Sequence, residues 1–485
     1  MMFKIAPYNT AATQLALNEK VGQLFMPAAF INDTEEEIQG LEKLIGKYHV
    51  GGLCFFHSRA SAATNFEGKK KIVYNEQSLT TLKNLIRRYQ NAAKFPLLIS
   101  IDAEWGLAMR IENTPQYPYA ITLGAIQNKE DLIFKVGRQI AMDCREAGIH
   151  WNLAPVVDIN NNPNNPVIGY RSFGEDKLNV TKKAKAFIKG TQSVGVLSCI
   201  KHFPGHGDTA TDSHLGLPII TKSKEALIEN ELYPFRETIK NGVDSVMVGH
   251  LSIPSLDNGE GTPATISKTI ITGLLRQELN FNGVVISDAL NMHSVSKMFP
   301  EKGELEWRAF DAGNDILCFA ENTEEGIQKI MGNADPGEIE ERFKRVWKLK
   351  EQAFATYTLP NTIKEEQSSL NKQLAEESLT LLTGSDKIIS DFKREGFNCL
   401  SLGEPTNKTF LEAASKIAAK GPKNEDNVLI ALYPPKVKPQ NNFDLKTEEL
   451  EQLQHLLKTK KVMLYVFGNP YLLNPLEYKT AKAVV

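Results

Sequence analysis

The sequence predicts an α/β fold in two parts: a (β/α)8 TIM-type barrel, then a smaller αβα sandwich-like domain that is incomplete. Three observations predict it. Short runs rich in Val, Ile, Leu and Phe alternate with segments of helical period, the alternation recurs eight times in the first two-thirds of the chain, and polar residues sit at the ends of the apolar runs. Near-continuous apolar strands between amphipathic helices describe a parallel sheet covered on its outer face, and eight repeats close naturally into a barrel.

The apolar runs fall at 23–26, 52–56, 97–102, 150–154, 197–202, 245–250, 284–288 and 315–319. Helical patterns separate them at 36–47, 79–93, 130–147, 178–193, 223–241, 267–278 and 323–331. An open doubly wound sheet is the rival arrangement. Against it, no Gly-rich phosphate turn follows the first strand. Asp102, His202, His250 and Asp288 each end a predicted strand, and the C-terminal strand ends of a barrel carry its chemistry. After a charged helix at 338–354 and the turn Leu359-Pro360-Asn361, the pattern restarts. Helices at 366–380, 409–419 and 446–459 alternate with strands at 399–402, 428–432, 462–466 and 481–485. The expected organisation is a catalytic barrel over 1–355 and a C-terminal αβα domain over 356–485. The last strand has no crossover helix to follow it, so we expect a truncated or reduced second domain.

Composition narrows the class. The chain has 485 residues, 42% hydrophobic and 24% charged, with 56 Lys+Arg against 58 Asp+Glu and a net charge of −2. These are values of an ordinary globular protein. The one basic run, Lys69-Lys70-Lys71, reads as a solvated loop, and near-neutral charge argues against a nucleic-acid partner. No stretch approaches the ~18 apolar residues of a membrane span, and the mean hydropathy is −0.28. The start, Met1-Met2-Phe3-Lys4-Ile5, lacks an apolar region with a cleavage site, so no secretory signal is expected in the sequence as it stands. Five scattered Cys without a C-x-x-C read as free thiols, with Cys54, Cys199 and Cys318 inside apolar runs.

The densest chemical signal is Lys201-His202-Phe203-Pro204-Gly205-His206-Gly207-Asp208-Thr209-Ala210-Thr211-Asp212-Ser213-His214. Pro and Gly make it a structured loop rather than a helix. Three readings compete. A metal nest from His202, His206 and His214 is one, although co-facial His-x3-His ligands need a helix that Pro204 and Gly205 forbid. Histidines that satisfy loop carbonyls are the second, which suits His206. The third is an acid/base pair: in an extended loop Asp212 and His214 point the same way, so the carboxylate fixes the tautomer of the imidazole and raises its basicity. Asp288 ends the strand 284–288. It is either a cap for the next helix or a nucleophilic carboxylate suited to glycosyl transfer. Asp102, Glu104, Arg110 and Arg171 add paired charges able to grip hydroxyls.

These residues resemble glycoside hydrolase family 3 β-N-acetylglucosaminidases, the NagZ-like β-N-acetylhexosaminidases. Lys201-His202-Phe203-Pro204-Gly205-His206-Gly207 with Asp212-Ser213-His214 resembles the family signature. The stretch from Asn162-Pro163 through Arg171-Ser172-Phe173-Gly174 and the strand end Ser287-Asp288-Ala289-Leu290 agree with it. The resemblance covers about 15–355, and more loosely 366–485. It implies a retaining hydrolase of terminal β-N-acetylglucosamine, in peptidoglycan or chitin-type fragments, with Asp288 as nucleophile, His214 paired with Asp212 as acid/base, and no metal or organic cofactor. Asp102, Arg110, Arg171, Lys201 and His202 then bind the sugar, and His250 lines the same mouth. A family β-glucosidase or xylosidase, a phosphorylase and a non-catalytic sugar-binding protein remain alternatives. One departure stands out: the family's Asp-Gln-Glu-Gly-Gly-Arg stretch reads Asp102-Ala103-Glu104-Trp105-Gly106-Leu107 here. The binding of whatever lies beyond the sugar is therefore open.

Overall fold

A computed structural model describes residues 5–59, 74–209, 216–258, 261–355, 367–404 and 408–485. Its first two-thirds is a ring of parallel strands. Seven of them, β2 (Ala28–Phe30), β3 (Gly52–Phe56), β4 (Leu98–Ile101), β5 (Trp151–Asn152), β6 (Leu197–Phe203), β7 (Ser245–Val248) and β8 (Val284–Ser287), pair in sequence order. The ring closes through β1 (Phe25–Met26) and β9 (Leu317–Cys318), which pair with each other in parallel, while Ile316 bridges to Ile286 in β8. The strand expected at 23–26 thus continues past Pro27 as β2. Its first half bonds the last strand and its second half bonds β3, with the Pro27 carbonyl accepting the Cys54 N–H at 3.1 Å. Proline has no N–H to give, and the strand changes partner there.

Strand residues are buried almost without exception, as expected where one face meets the barrel interior and the other the helices. The helices run close to expectation: Glu35–Tyr48 starts on a capping box in which Thr34 and Glu37 exchange hydrogen bonds. Glu130–Ala147 packs on Lys177–Gln192 through glycines, where a Cβ on Gly137 would meet the Phe187 carbonyl at 2.3 Å and one on Gly190 the Phe134 carbonyl at 2.1 Å. Two helices differ. The pattern at 223–241 is broken into Lys224–Glu229 and Leu232–Ile239 because Glu231 turns inward to accept Asn161 and Lys222. The stretch Thr269–Glu278 is wound as a π-helix, closing with the Leu279 N–H on the Leu274 carbonyl.

A second parallel sheet follows, in the order β10 (Asn398–Gly403), β11 (Asn427–Tyr433), β12 (Lys461–Val466), β13 (Ala483–Val484). Alternate residues of β11 feed opposite faces. Val428, Ile430 and Leu432 pack with Leu453 and Leu457 of the helix Thr447–Thr459, whereas Leu429 packs with Phe392 and Ala414 from the helices Asp386–Glu395 and Thr409–Ala418. This is an αβα layering. The helix Gln367–Ser378 stands apart from it: Leu370 and Leu374 join the barrel core, and Gln367 and Asn371 both donate to the Gln116 carbonyl.

Candidate active site

A cavity of about 310 Å³ opens at the C-terminal ends of the barrel strands. Asp102 follows β4, Lys201 and His202 lie near the end of β6, Asp288 follows β8, and loops bring in Arg110 and Arg171; all six line the cavity. Lys201 is the hub, with its side chain only 2% exposed. Its ammonium sits 2.7 Å from Asp102 Oδ1 and 2.8 Å from Glu104 Oε1. Arg110 donates to Asp102 Oδ2 at 2.8 Å, and Arg171 grips both oxygens of Glu104 at 2.7 and 2.9 Å. Burial alone would raise the pKa of each carboxyl, but Lys201 and Arg110 hold Asp102 well below the usual range, and Arg171 and Lys201 bring Glu104 to about 2. The network is therefore a rigid, fully ionised frame with oxygen and nitrogen atoms turned to the cavity.

Asp288 is positioned by backbone. Its N–H donates to the Val248 carbonyl at 2.9 Å, and its Oδ1 accepts the Ala289 N–H at 2.8 Å. Burial pushes its pKa up, yet the nearby His250 and His202, with the Ala289 N–H, keep it below the ordinary value. His202 in turn is set by Asp158. That carboxylate, fully buried, accepts the His202 Nδ1 side at 2.8 Å and the backbone N–H groups of His202 and His206 at 3.1 and 2.7 Å. With Nδ1 engaged, His202 presents Nε2 towards Arg171 and the cavity. His206 has its Nδ1 against Thr209 Oγ1 at 2.8 Å, a hydroxyl where the sequence reading had a loop carbonyl, and burial lowers its pKa to about 4, which makes it a neutral loop histidine.

His250 is a correction. It was expected to line the mouth, but it is completely buried behind the wall, with Nδ1 2.7 Å from Thr265 Oγ1 and Nε2 2.9 Å from the Ala289 carbonyl. It braces the peptide that follows Asp288 rather than facing the cavity. Asp212 and His214 lie outside the described residues, as do Lys69, Lys70, Lys71 and the turn at 359–361. The Trp105 departure forms one side of the mouth. Its ring meets Tyr119 edge-on at 5.0 Å and Tyr170 at 5.9 Å, and Tyr119 and Tyr170 contact each other at 4.8 Å. Across the cavity Phe56 and Phe319 pack at 5.2 Å, with the Arg110 guanidinium over the Phe56 ring. Among the described residues no three His, Cys, Asp or Glu side chains converge as a metal site requires.

Sequence reasoning missed three contributors: Asp158, the Phe56–Phe319 pair, and Lys438, which reaches the cavity from the loop after β11. Asp158 had a weak signal, a lone Asp after the apolar 153–157. Lys438 had none.

Residues 16–349 match the description "Glycosyl hydrolase family 3 N terminal domain". A "Beta-hexosaminidase A" of Pseudoalteromonas piscicida is 38% identical over 291 residues, which is 57% of this chain and 46% of that protein. A "Beta-N-acetylglucosaminidase/beta-glucosidase" of Cellulomonas fimi is 29% identical over 359 residues, 71% of this chain and 59% of that protein. The chain thus spans about half the length of these two relatives. Among solved structures, a glycoside hydrolase family 3 β-N-acetylglucosaminidase from Paenibacillus sp. superposes with a TM-score of 0.74 at 28% identity, covering 97% of this chain and 93% of that one.

Proposed function

The chain belongs to glycosyl hydrolase family 3, and from that premise we propose that it removes terminal, non-reducing β-N-acetylglucosamine with retention of configuration, from peptidoglycan or chitin-type fragments. The observation that carries the reading is the position of Asp288: a carboxylate at a strand end, kept ionised and fixed through one oxygen by the Ala289 N–H, beside a cradle of paired charges. Among the described residues its other oxygen has no hydrogen-bond partner, and it is the one available to attack. In the first half of the reaction Asp288 Oδ2 bonds to the anomeric carbon as the glycosidic C–O bond breaks, and His214 gives its proton to the departing oxygen. In the second half His214 takes a proton from water, the water oxygen bonds to the anomeric carbon, and Asp288 leaves as carboxylate. Asp212 holds the His214 tautomer and supports its positive charge. Asp102, Arg110, Arg171, Lys201 and His202 bind the sugar hydroxyls and acetamido group, and the fixed dipoles need no reorganisation as charge develops.

Two variants test this. Asp288→Ala is expected to abolish turnover of an aryl β-N-acetylglucosaminide without altering the melting curve. Wild-type-like activity would sink the assignment. His214→Ala is expected to slow a substrate with a poor leaving group by roughly 10²–10⁴-fold and an activated aryl substrate far less, since only the former needs the proton. Equal losses on both, or a preference for the aryl β-glucoside in the unmodified chain, would redirect the reading.

A further inference from the structure

The cations around the cavity do not all have the same status. Arg110, Lys201 and Arg171 share the carboxylates of Asp102 and Glu104 at 2.8 Å or less, and the ionised Asp288 lines the same wall, so three cations there stand against three carboxylates. Lys438 is different: it lines the same cavity, is exposed at its rim, and has no carboxylate partner among the described residues. N-acetylglucosamine carries no charge, so it gives this ammonium nothing to pair with.

The loop that carries Lys438 is built to hold it in place. It leaves the C-terminal end of β11, the side on which open parallel sheets present their ligands. Pro434, Pro435 and Pro439 restrict it, and the buried Asn469 side chain donates to the Val437 carbonyl at 2.9 Å. Directly after it, Asn441, Asn442, Phe443 and Asp444 all have φ between 51° and 59°. Such left-handed residues are unfavourable for side chains other than glycine, and they persist only where surrounding contacts over-determine them. Here those contacts are the buried Phe443 ring, the Lys436 N–H on the Phe443 carbonyl at 3.1 Å, and the Lys436–Asp444 ion pair. A lysine that serves only solubility needs no such support.

We propose that Lys438 is a specificity residue of the site just beyond the cleaved bond, and that it selects β-N-acetylglucosaminides whose aglycone bears an anionic group, a carboxylate in the first instance. The inference rests on the reading of the chain as a β-N-acetylglucosaminidase. Free inorganic phosphate acting as acceptor is the other source of the same charge.

The test compares an aryl β-N-acetylglucosaminide carrying a ring carboxylate with its methyl ester, at low salt, in the full chain and in Lys438→Met and Lys438→Arg. The kcat/KM ratio of acid to ester is expected to be about fivefold higher in the unmodified chain than in Lys438→Met, the size of a partly exposed ion pair, and to return largely in Lys438→Arg. High salt should lower it. An acid-to-ester ratio that is the same in Lys438→Met overturns the proposal while leaving the glycosidase reading intact; no turnover of either substrate by the unmodified chain overturns both. Adding phosphate forms the second arm. Phosphate-stimulated release of a sugar 1-phosphate that is lost in Lys438→Met would assign the cation to free phosphate and overturn the aglycone assignment.

Discussion

The two parallel sheets of this chain use the same strand and helix units, yet they do different things with their strand ends. In the first sheet the ring closes, so β4, β6 and β8 deliver Asp102, Lys201, His202 and Asp288 to a common axis, where Lys201 joins two carboxylates that arrive together from the β4 end. In the second sheet β10 to β13 stay open and their ends stand in a row, and among the described residues what reaches the cavity from it is one loop with one lysine. Closure converges charges, which must then be paired because they are buried; an open edge can extend a single solvated group. The chemistry should therefore depend steeply on the first sheet and weakly on the second.

The largest effect should come from the hub of the ring. Lys201→Met leaves Asp102 and Glu104 buried without their shared cation, and breaking a buried pair costs about 3–5 kcal/mol. A large drop in melting temperature together with loss of activity is expected; a variant as stable as the parent would show that the network is not holding the mouth together. Next, Ile430→Ala opens a void at the centre of β11 and should cost about 2–5 kcal/mol, read as earlier unfolding of the second sheet. Cleavage of a neutral aryl substrate below that transition should persist, and its loss would mean that the second sheet has a direct part in the chemistry.

The smallest effect is pH dependence. Burial, helped by Lys350 and Arg145, lowers His150 to about 4, and burial with the neighbouring His202 does the same to His206. Both bind a proton near 6.5 once unfolded, so between pH 6.5 and 4 the unfolded chain holds more protons and stability falls as pH falls. Melting curves should move down from pH 6.5, and below about pH 5 the depressed carboxyls of Asp102 and Glu104 add to the fall because the unfolded chain then binds their protons. A flat profile from 6.5 to about 5 would mean that the two histidines are not held neutral.

Much of this architecture was legible in the sequence, because parallel strands buried on both faces must be apolar throughout and the residues that end them stand out. Asp102, His202, His250 and Asp288 were picked out that way, whereas Lys201 came only with the loop motif and the family resemblance. Other features were hidden for stateable reasons. β2 is three residues that continue an already assigned strand past Pro27, and so carries no separate period. The helix Asp386–Glu395 carries an apolar stripe of Ile388, Ile389 and Phe392, but it is only ten residues long and the sequence reading passed over it. Asp158 acts on N–H groups 44 and 48 residues away, brought to it by the turn after β6, and nothing near it in the chain signals that. His250 looked like its fellow strand-end residues, but it lies two positions beyond β7 and turns into the wall. Lys438 depends on how the second sheet meets the first, which local pattern does not encode.

The proposed retention of configuration requires that Asp288 become covalently bound to the sugar. Incubating the full chain with a fluorinated N-acetylglucosaminyl fluoride, which forms such an adduct faster than water removes it, and then mapping peptides by mass spectrometry tests this directly. The expected result is one glycosyl unit on the peptide containing Asp288, absent in Asp288→Ala. An adduct on another residue, or steady turnover of ordinary substrate to the inverted α-anomer of the sugar, would contradict it.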